Sequence, residues 1–260
     1  MKRSKIYVAG LLVSVLIAGT GCPHPHPEPE PPNDYYQPSN FTPDTLSGNV
    51  NGFGWVDLGL PSGTLWAVCN VGARDLESAG WRFAWGETLP KQKYWCDNYK
   101  YMTMSSSVLL LTKYNTDPAA GLEGYVDGLT TLEPSDDAAT VLWGAEWRTP
   151  TYDDLLELTS ECSWREYPSD FFRPNSSCSG FELTGPNGRT LLFPRDEEHY
   201  DFEGGDVWTS VYMSSTLCDN PSFVKGRGYY GMDEYWRISG MLVRPVLVQD
   251  PRSFPSDDTP

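Results

Sequence analysis

Six prolines fall within the ten residues Pro23 to Pro32, and they fix where a folded domain can begin. Proline holds φ at about −65° and has no N–H to donate, so neither helix nor sheet can run through such a segment. The expected state is polyproline II, about 30 Å long at roughly 3.1 Å per residue. Ahead of it, Lys2, Arg3 and Lys5 precede an apolar run from Ile6 to Ala18, which leads into Gly19-Thr20-Gly21-Cys22. That order is a secretory signal peptide, because the run is too short to span a bilayer as a helix. The chain therefore reads as four parts: a leader over 1–22, a proline stalk and polar linker over 23–49, a folded domain over 50–248, and a disordered proline-containing tail over 249–260.

The small residues before Cys22 resemble the lipobox of bacterial lipoproteins, with Gly19 where leucine is usual. The resemblance implies a lipidated Cys22 and a location at the outer membrane or cell surface. His24 and His26 read as polar spacers of the stalk. The formal charge of the chain is −16, and the leader's three basic residues leave the remainder more negative still. Nucleic-acid binding needs a clustered basic surface, so that function is excluded. The same charge opposes adsorption of the domain to anionic lipid, and membrane contact is expected through the N-terminal lipid alone.

All ten Trp lie between Trp55 and Trp236, which gives the middle of the chain the material for a core. Val56, Leu58 and Leu60 alternate, Pro61-Ser62-Gly63 supplies a turn, and Leu65, Ala67 and Cys69 alternate again. This pattern predicts a β-hairpin with one buried face. Trp81, Phe83 and Trp85 alternate as well, and 181–183 and 190–193 flank the turn sequence Gly185-Pro186-Asn187-Gly188. Val207 to Met213 and Met241 to Val248 are further strand candidates. One helix is predicted over 135–142, with Asp136 and Asp137 in its first turn, where the helix dipole favours them. A second opens at Thr151, with Asp154 answering the cap and Leu155, Leu158 and Cys162 on one stripe. Trp147 and Trp208 read as core. Beyond Cys22 five cysteines remain, Cys69, Cys96, Cys162, Cys178 and Cys218, and none has Cys-x-x-Cys spacing. Their pairing stays open, and Cys162 reads as a buried thiol or a disulfide partner.

A set of short motifs runs in order through nearly all of 55–246. It begins with Trp55-Val56-Asp57-Leu58-Gly59-Leu60-Pro61-Ser62-Gly63-Thr64-Leu65-Trp66-Ala67, Cys69-Asn70-Val71-Gly72-Ala73 and Phe83-Ala84-Trp85-Gly86-Glu87-Thr88. It continues with Leu111-Thr112-Lys113-Tyr114, Leu132-Glu133-Pro134, Asp136-Asp137-Ala138-Ala139-Thr140 and Trp147-Arg148-Thr149-Pro150-Thr151. It closes with Val207-Trp208-Thr209-Ser210 and Val243-Arg244-Pro245-Val246. The set resembles the FISUMP-type domain of Gram-negative surface lipoproteins, a family similar to the C-type-lectin-like fold. The resemblance implies an α+β domain with two helices, a small twisted antiparallel sheet, and N- and C-terminal strands that pair. After Phe193-Pro194 the chain departs from the family, which often has small residues where Arg195 to Glu203 are mostly charged.

Formylglycine-generating enzymes share that fold and need two close cysteines to hold copper(I). Only Cys218 lies late in this chain, so that activity is not carried over and no cofactor is implied. His199 is the only His outside leader and stalk, and no Gly-x-Ser-x-Gly motif occurs. The acidic loop of Asp196, Glu197, Glu198, Asp201, Glu203 and Asp206 offers hard oxygen ligands, but without EF-hand spacing it reads as solvated, and no metal site is assigned. The segment 212–236 mixes rigid aromatics with adaptable polar groups, the composition of a binding surface. In related C-type-lectin-like proteins this region presents the ligand face. The candidate contacts are Tyr212, Ser214, Asp219, Asn220, Tyr229, Tyr230, Asp233 and Tyr235. The expected function is recognition of a glycan or a protein without catalysis. The alternatives are a carbohydrate-active or metal-dependent enzyme, and an accessory or tip subunit of a surface appendage.

Overall fold

A computed structural model describes residues 46–76, 78–106, 108–167, 180–194, 220–226, 229–235 and 237–248. In chain order the strands are β1 (Gly48–Val50), β2 (Phe53–Asp57), β3 (Leu65–Ala67), β4 (Arg82–Phe83), β5 (Met102–Ser105), β6 (Val108–Leu111), β7 (Trp147–Arg148), β8 (Ser163–Tyr167), β9 (Gly180–Thr184), β10 (Thr190–Pro194), β11 (Asn220–Gly226), β12 (Tyr229–Tyr235), β13 (Met241–Leu242) and β14 (Val246–Leu247). Two α-helices, α1 (Ala138–Trp143) and α2 (Tyr152–Glu161), flank β7 in sequence. The fold class is α+β. The central sheet has the order β1-β2-β3-β14-β7, with every neighbour antiparallel. The sheet β8-β9-β10 and three two-stranded pairs, β4 with β13, β5 with β6 and β11 with β12, complete the described strands.

β1 begins at Gly48, inside the stretch assigned to the linker. Its turn into β2 is Asn51-Gly52, with φ of 55° and 89°. Two left-handed residues in succession form the two-residue hairpin turn whose twist matches that of the strands it joins. Phe53 then stacks flat on Trp143 at the end of α1, with ring centroids 3.9 Å apart. β3 departs from the expected single buried face. Leu65, Trp66, Ala67, Val68 and Cys69 are all buried. Successive strand residues point to opposite faces, so both faces of β3 are covered.

The last predicted strand is divided. β13 pairs with β4, while β14 pairs with β3 on one side and β7 on the other. Pro245 lies between them and has no N–H for a ladder, although its carbonyl accepts from Ala67 N at 2.8 Å. The Trp81–Trp85 alternation likewise shortens to the two residues of β4. The β9–β10 hairpin forms as the turn sequence predicts, with Leu191 opposite Leu183 and Phe193 opposite Phe181.

α1 starts later than the sequence suggests. Residues 134–136 form a 3-10 turn, and Asp137 is the N-cap. The acidic pair therefore precedes the first turn instead of occupying it. α2 opens as predicted, with Thr151 and Asp154 in a reciprocal capping box and Leu155 and Leu158 facing the core, but it ends at Glu161, so Cys162 is its extended C-cap and not part of the helical stripe. Cys69, Cys96 and Cys162 are free thiols. Burial pushes the Cys69 thiol up to about 12 and the Cys162 thiol up to about 11, so both stay protonated and unreactive at neutral pH. Cys178 and Cys218 lie outside the described residues.

Candidate functional site

Of the candidate contacts, Asn220, Tyr229, Tyr230, Asp233 and Tyr235 fall on the β11–β12 hairpin. Tyr212, Ser214 and Asp219 lie outside the described residues, as do Cys22, His199, Trp208 and the acidic 196–206 loop. Seven residue pairs join the two strands without a bulge. Asn220 stands opposite Tyr235, Ser222 opposite Asp233, Gly226 opposite Tyr229, and Lys225 opposite Tyr230. At about 3.4 Å per residue, Tyr229 and Tyr235 are about 20 Å apart along the strand. The hairpin thus brings Asn220 and Tyr235 together at one end and sets Tyr229 and Tyr230 at the other.

The register sorts the hairpin into two sets. One contains the pairs Asn220–Tyr235, Ser222–Asp233, Val224–Gly231 and Gly226–Tyr229. The other contains Pro221–Glu234, Phe223–Met232 and Lys225–Tyr230. The first holds most of the polar and aromatic candidates, whereas Tyr230 belongs to the second. Ser222 joins the candidate set only through this register. Its signal in the sequence is the period-two spacing Asn220-x-Ser222, which means little until the pairing partner is known.

Two buried arginines among the described residues are spent on structure. Arg244 is fully buried. It donates from Nε to Asn70 Oδ1 at 2.6 Å, from Nη1 to the Ala67 carbonyl at 3.1 Å and from Nη2 to the Leu192 carbonyl at 2.8 Å. Its guanidinium also lies 4.3 Å from the Phe193 ring centroid. One side chain thereby joins β3, β10 and the break between β13 and β14. Arg237, also fully buried, donates from Nη1 to the Tyr114 carbonyl at 2.8 Å and lies 5.3 Å from the Trp85 ring.

Asp136 and Asp137 are adjacent but serve different groups. The Asp136 carboxylate accepts from Tyr114 Oη at 2.8 Å, Lys113 Nζ at 2.5 Å and Lys100 Nζ at 3.1 Å. Lys113 also pairs with Glu133. Burial alone would raise the Asp136 carboxyl, but the hydrogen bonds from Lys113 and its neighbours outweigh it and hold the group down at about 2. Burial raises the Tyr114 hydroxyl, and the carboxylate beside it adds to the effect. Asp137 accepts from Ala139 N at 2.9 Å, Thr149 N at 2.8 Å and Thr149 Oγ1 at 2.7 Å. Burial pushes its carboxyl up against those bonds. Glu87 is equally committed, accepting from Lys91 Nζ at 2.6 Å and Lys100 N at 2.7 Å. Perturbed titration marks active sites, but structural ion networks produce it too, and every proton donor here ends on a framework group.

The depressed Asp136 carboxyl has a consequence in acid. Its contribution is fully present above its ordinary value of 3.8 and is lost as pH falls through about 2. The loss amounts to about 2 kcal/mol. Asp137, with its raised carboxyl, works in the opposite sense and does not add to it. Urea midpoints followed by tryptophan fluorescence from about pH 5 down to about pH 2 are expected to fall less steeply in Asp136→Asn than in the unaltered chain. Equal slopes would count against the assignment.

A small cleft lined by Trp85, Glu87, Leu132, Asp136 and Thr149 has room for about one water molecule. Among the described residues no group of three or more His, Cys, Asp or Glu is placed to hold a metal, and no helix is long and apolar enough to cross a membrane. Comparison with protein-family models, with curated proteins and with solved structures gives no match.

Proposed function

We propose that this chain is a surface lipoprotein of the FISUMP type, anchored through Cys22, whose C-type-lectin-like domain binds a glycan or a protein without catalysis. The observation that carries the reading is the β11–β12 register, which gathers Asn220, Ser222, Asp233, Tyr229 and Tyr235 into one set. Tyr supplies rigid contact area at low entropy cost, and Asn, Ser and Asp supply adaptable hydrogen bonds. Two features of the frame support the fold: β14 returns to pair with β3, and two helices flank β7. The buried carboxylates support binding over catalysis, since Glu87, Asp136 and Asp137 already accept framework hydrogen bonds. The stalk and the negative charge suit a domain held away from an anionic membrane.

The test is binding of the full chain to a glycan array and to arrayed surface proteins. Tyr229→Ala and Tyr235→Ala are expected to remove the signal, while Tyr230→Ala keeps most of it. Unchanged binding in all three variants would remove the hairpin as the ligand face.

A further inference from the structure

The chain has two Asn-Gly steps, Asn51-Gly52 and Asn187-Gly188. Glycine carries no side chain to screen its nitrogen, so these are the steps at which an asparagine amide is most open to attack by its own backbone. In that reaction the glycine nitrogen loses its proton to solvent base and attacks the asparagine Cγ. A C–N bond forms, the bond to the side-chain nitrogen breaks, and ammonia leaves. Water then opens the resulting cyclic imide at either carbonyl, giving aspartate or isoaspartate.

Both steps sit in hairpin turns, and both are held in the same two ways. The attacking nitrogen is occupied: Gly52 N donates to Asn49 Oδ1 at 2.9 Å, and Gly188 N donates to the Gly185 carbonyl at 2.9 Å. The amide under attack is anchored to a distant element. Asn51 Nδ2 donates to the Trp143 carbonyl at 3.0 Å and to Glu146 Oε2 at 2.7 Å. Asn187 Nδ2 donates to the Asp57 carbonyl at 2.7 Å, while its Oδ1 accepts from Arg189 N at 3.0 Å. Each asparagine is thus a latch. Asn51 fastens the β1–β2 turn to the end of α1, and Asn187 fastens the β9–β10 turn to the end of β2.

We propose that Asn51 and Asn187 are latent deamidation sites, sealed while the domain is folded and converted only when their turns open, and that conversion releases the latch. The chemistry makes release follow from conversion. The reaction replaces a donating NH2 with a carboxylate oxygen, which at position 51 would face the Trp143 carbonyl and the Glu146 carboxylate. At position 187 it would face the Asp57 carbonyl. A donor is lost and acceptor is set against acceptor, so a turn that opens and reacts does not close again as before.

Peptide mapping of the full chain, held at neutral pH either folded or unfolded in urea, reads the conversion at each site directly. Conversion at both asparagines is expected to be slower in the folded chain by on the order of tenfold or more. Equal rates in the two states would overturn the seal. Asn51→Asp and Asn187→Asp mimic the converted latches, and each is expected to lower the thermal midpoint by about 3 °C or more. Midpoints equal to that of the unaltered chain would overturn the release. The mapping needs no variant, so a variant that fails to fold leaves the first test intact and itself reports a broken latch.

Discussion

Arg244→Ala is expected to lower the unfolding free energy by about 4 kcal/mol, measured by urea denaturation with tryptophan fluorescence. The side chain is fully buried and its donors diverge to three acceptors on two segments, 67–70 and Leu192, both remote from it in sequence. Truncation leaves the Ala67 and Leu192 carbonyls and the Asn70 amide oxygen without this donor in a site closed to water. Each unmet group costs about 1–3 kcal/mol. A domain with a typical total of about 5–15 kcal/mol would lose a large share of it. Arg244→Lys tests the geometry instead of the charge. One ammonium cannot reproduce a planar fork aimed at three acceptors, so most of the loss should persist. If the lysine variant were as stable as the unaltered chain, charge alone would be sufficient and the clasp would be the wrong description.

Asp137→Ala is expected to cost about 3 kcal/mol. Its Oδ1 caps α1 through Ala139 N, and the carboxylate also takes both donors of Thr149 at the end of β7. Removal uncaps a six-residue helix that cannot stand without tertiary support, and it strands two buried donors. Thr149→Val removes only the hydroxyl bond and should cost about 1 kcal/mol. A valine variant as damaged as the alanine variant would place the energy in the β7 contact and not in the cap.

Local features of this fold were readable in the sequence. The α2 capping box, the buried stripe of Leu155 and Leu158, and the Gly185–Gly188 turn each depend on residues close together in the chain. What the sequence did not show depends on partners far away. Leu65, Ala67 and Cys69 alternate convincingly, but burial of Trp66 and Val68 on the other face is set by the rest of the domain. Met241 to Val248 reads as one strand because the alternation is unbroken, whereas Arg244 and Pro245 end one pairing and begin another. Asp137 looks like a first-turn residue until Thr149, twelve positions later, is seen to share its carboxylate.

The candidate site shows the same division. The aromatic and polar composition of 212–236 is what makes it the proposed binding segment, yet composition treats Tyr229 and Tyr230 alike. Only the antiparallel register separates them, placing Tyr229 with Asp233 and Tyr235 and leaving Tyr230 with Phe223 and Met232. Arg244, Asp136, Asp137 and Glu87 are spent instead on hydrogen bonds within the frame.

Dissociation constants measured beside thermal midpoints test most directly whether the frame is separate from the proposed ligand face. For the ligand selected on the arrays, Tyr229→Ala and Tyr235→Ala should each weaken binding on the order of tenfold or more, with midpoints unchanged. Tyr230→Ala should keep most of the affinity. Equal affinity across all three variants, or loss of binding only where the midpoint also falls, would contradict the account.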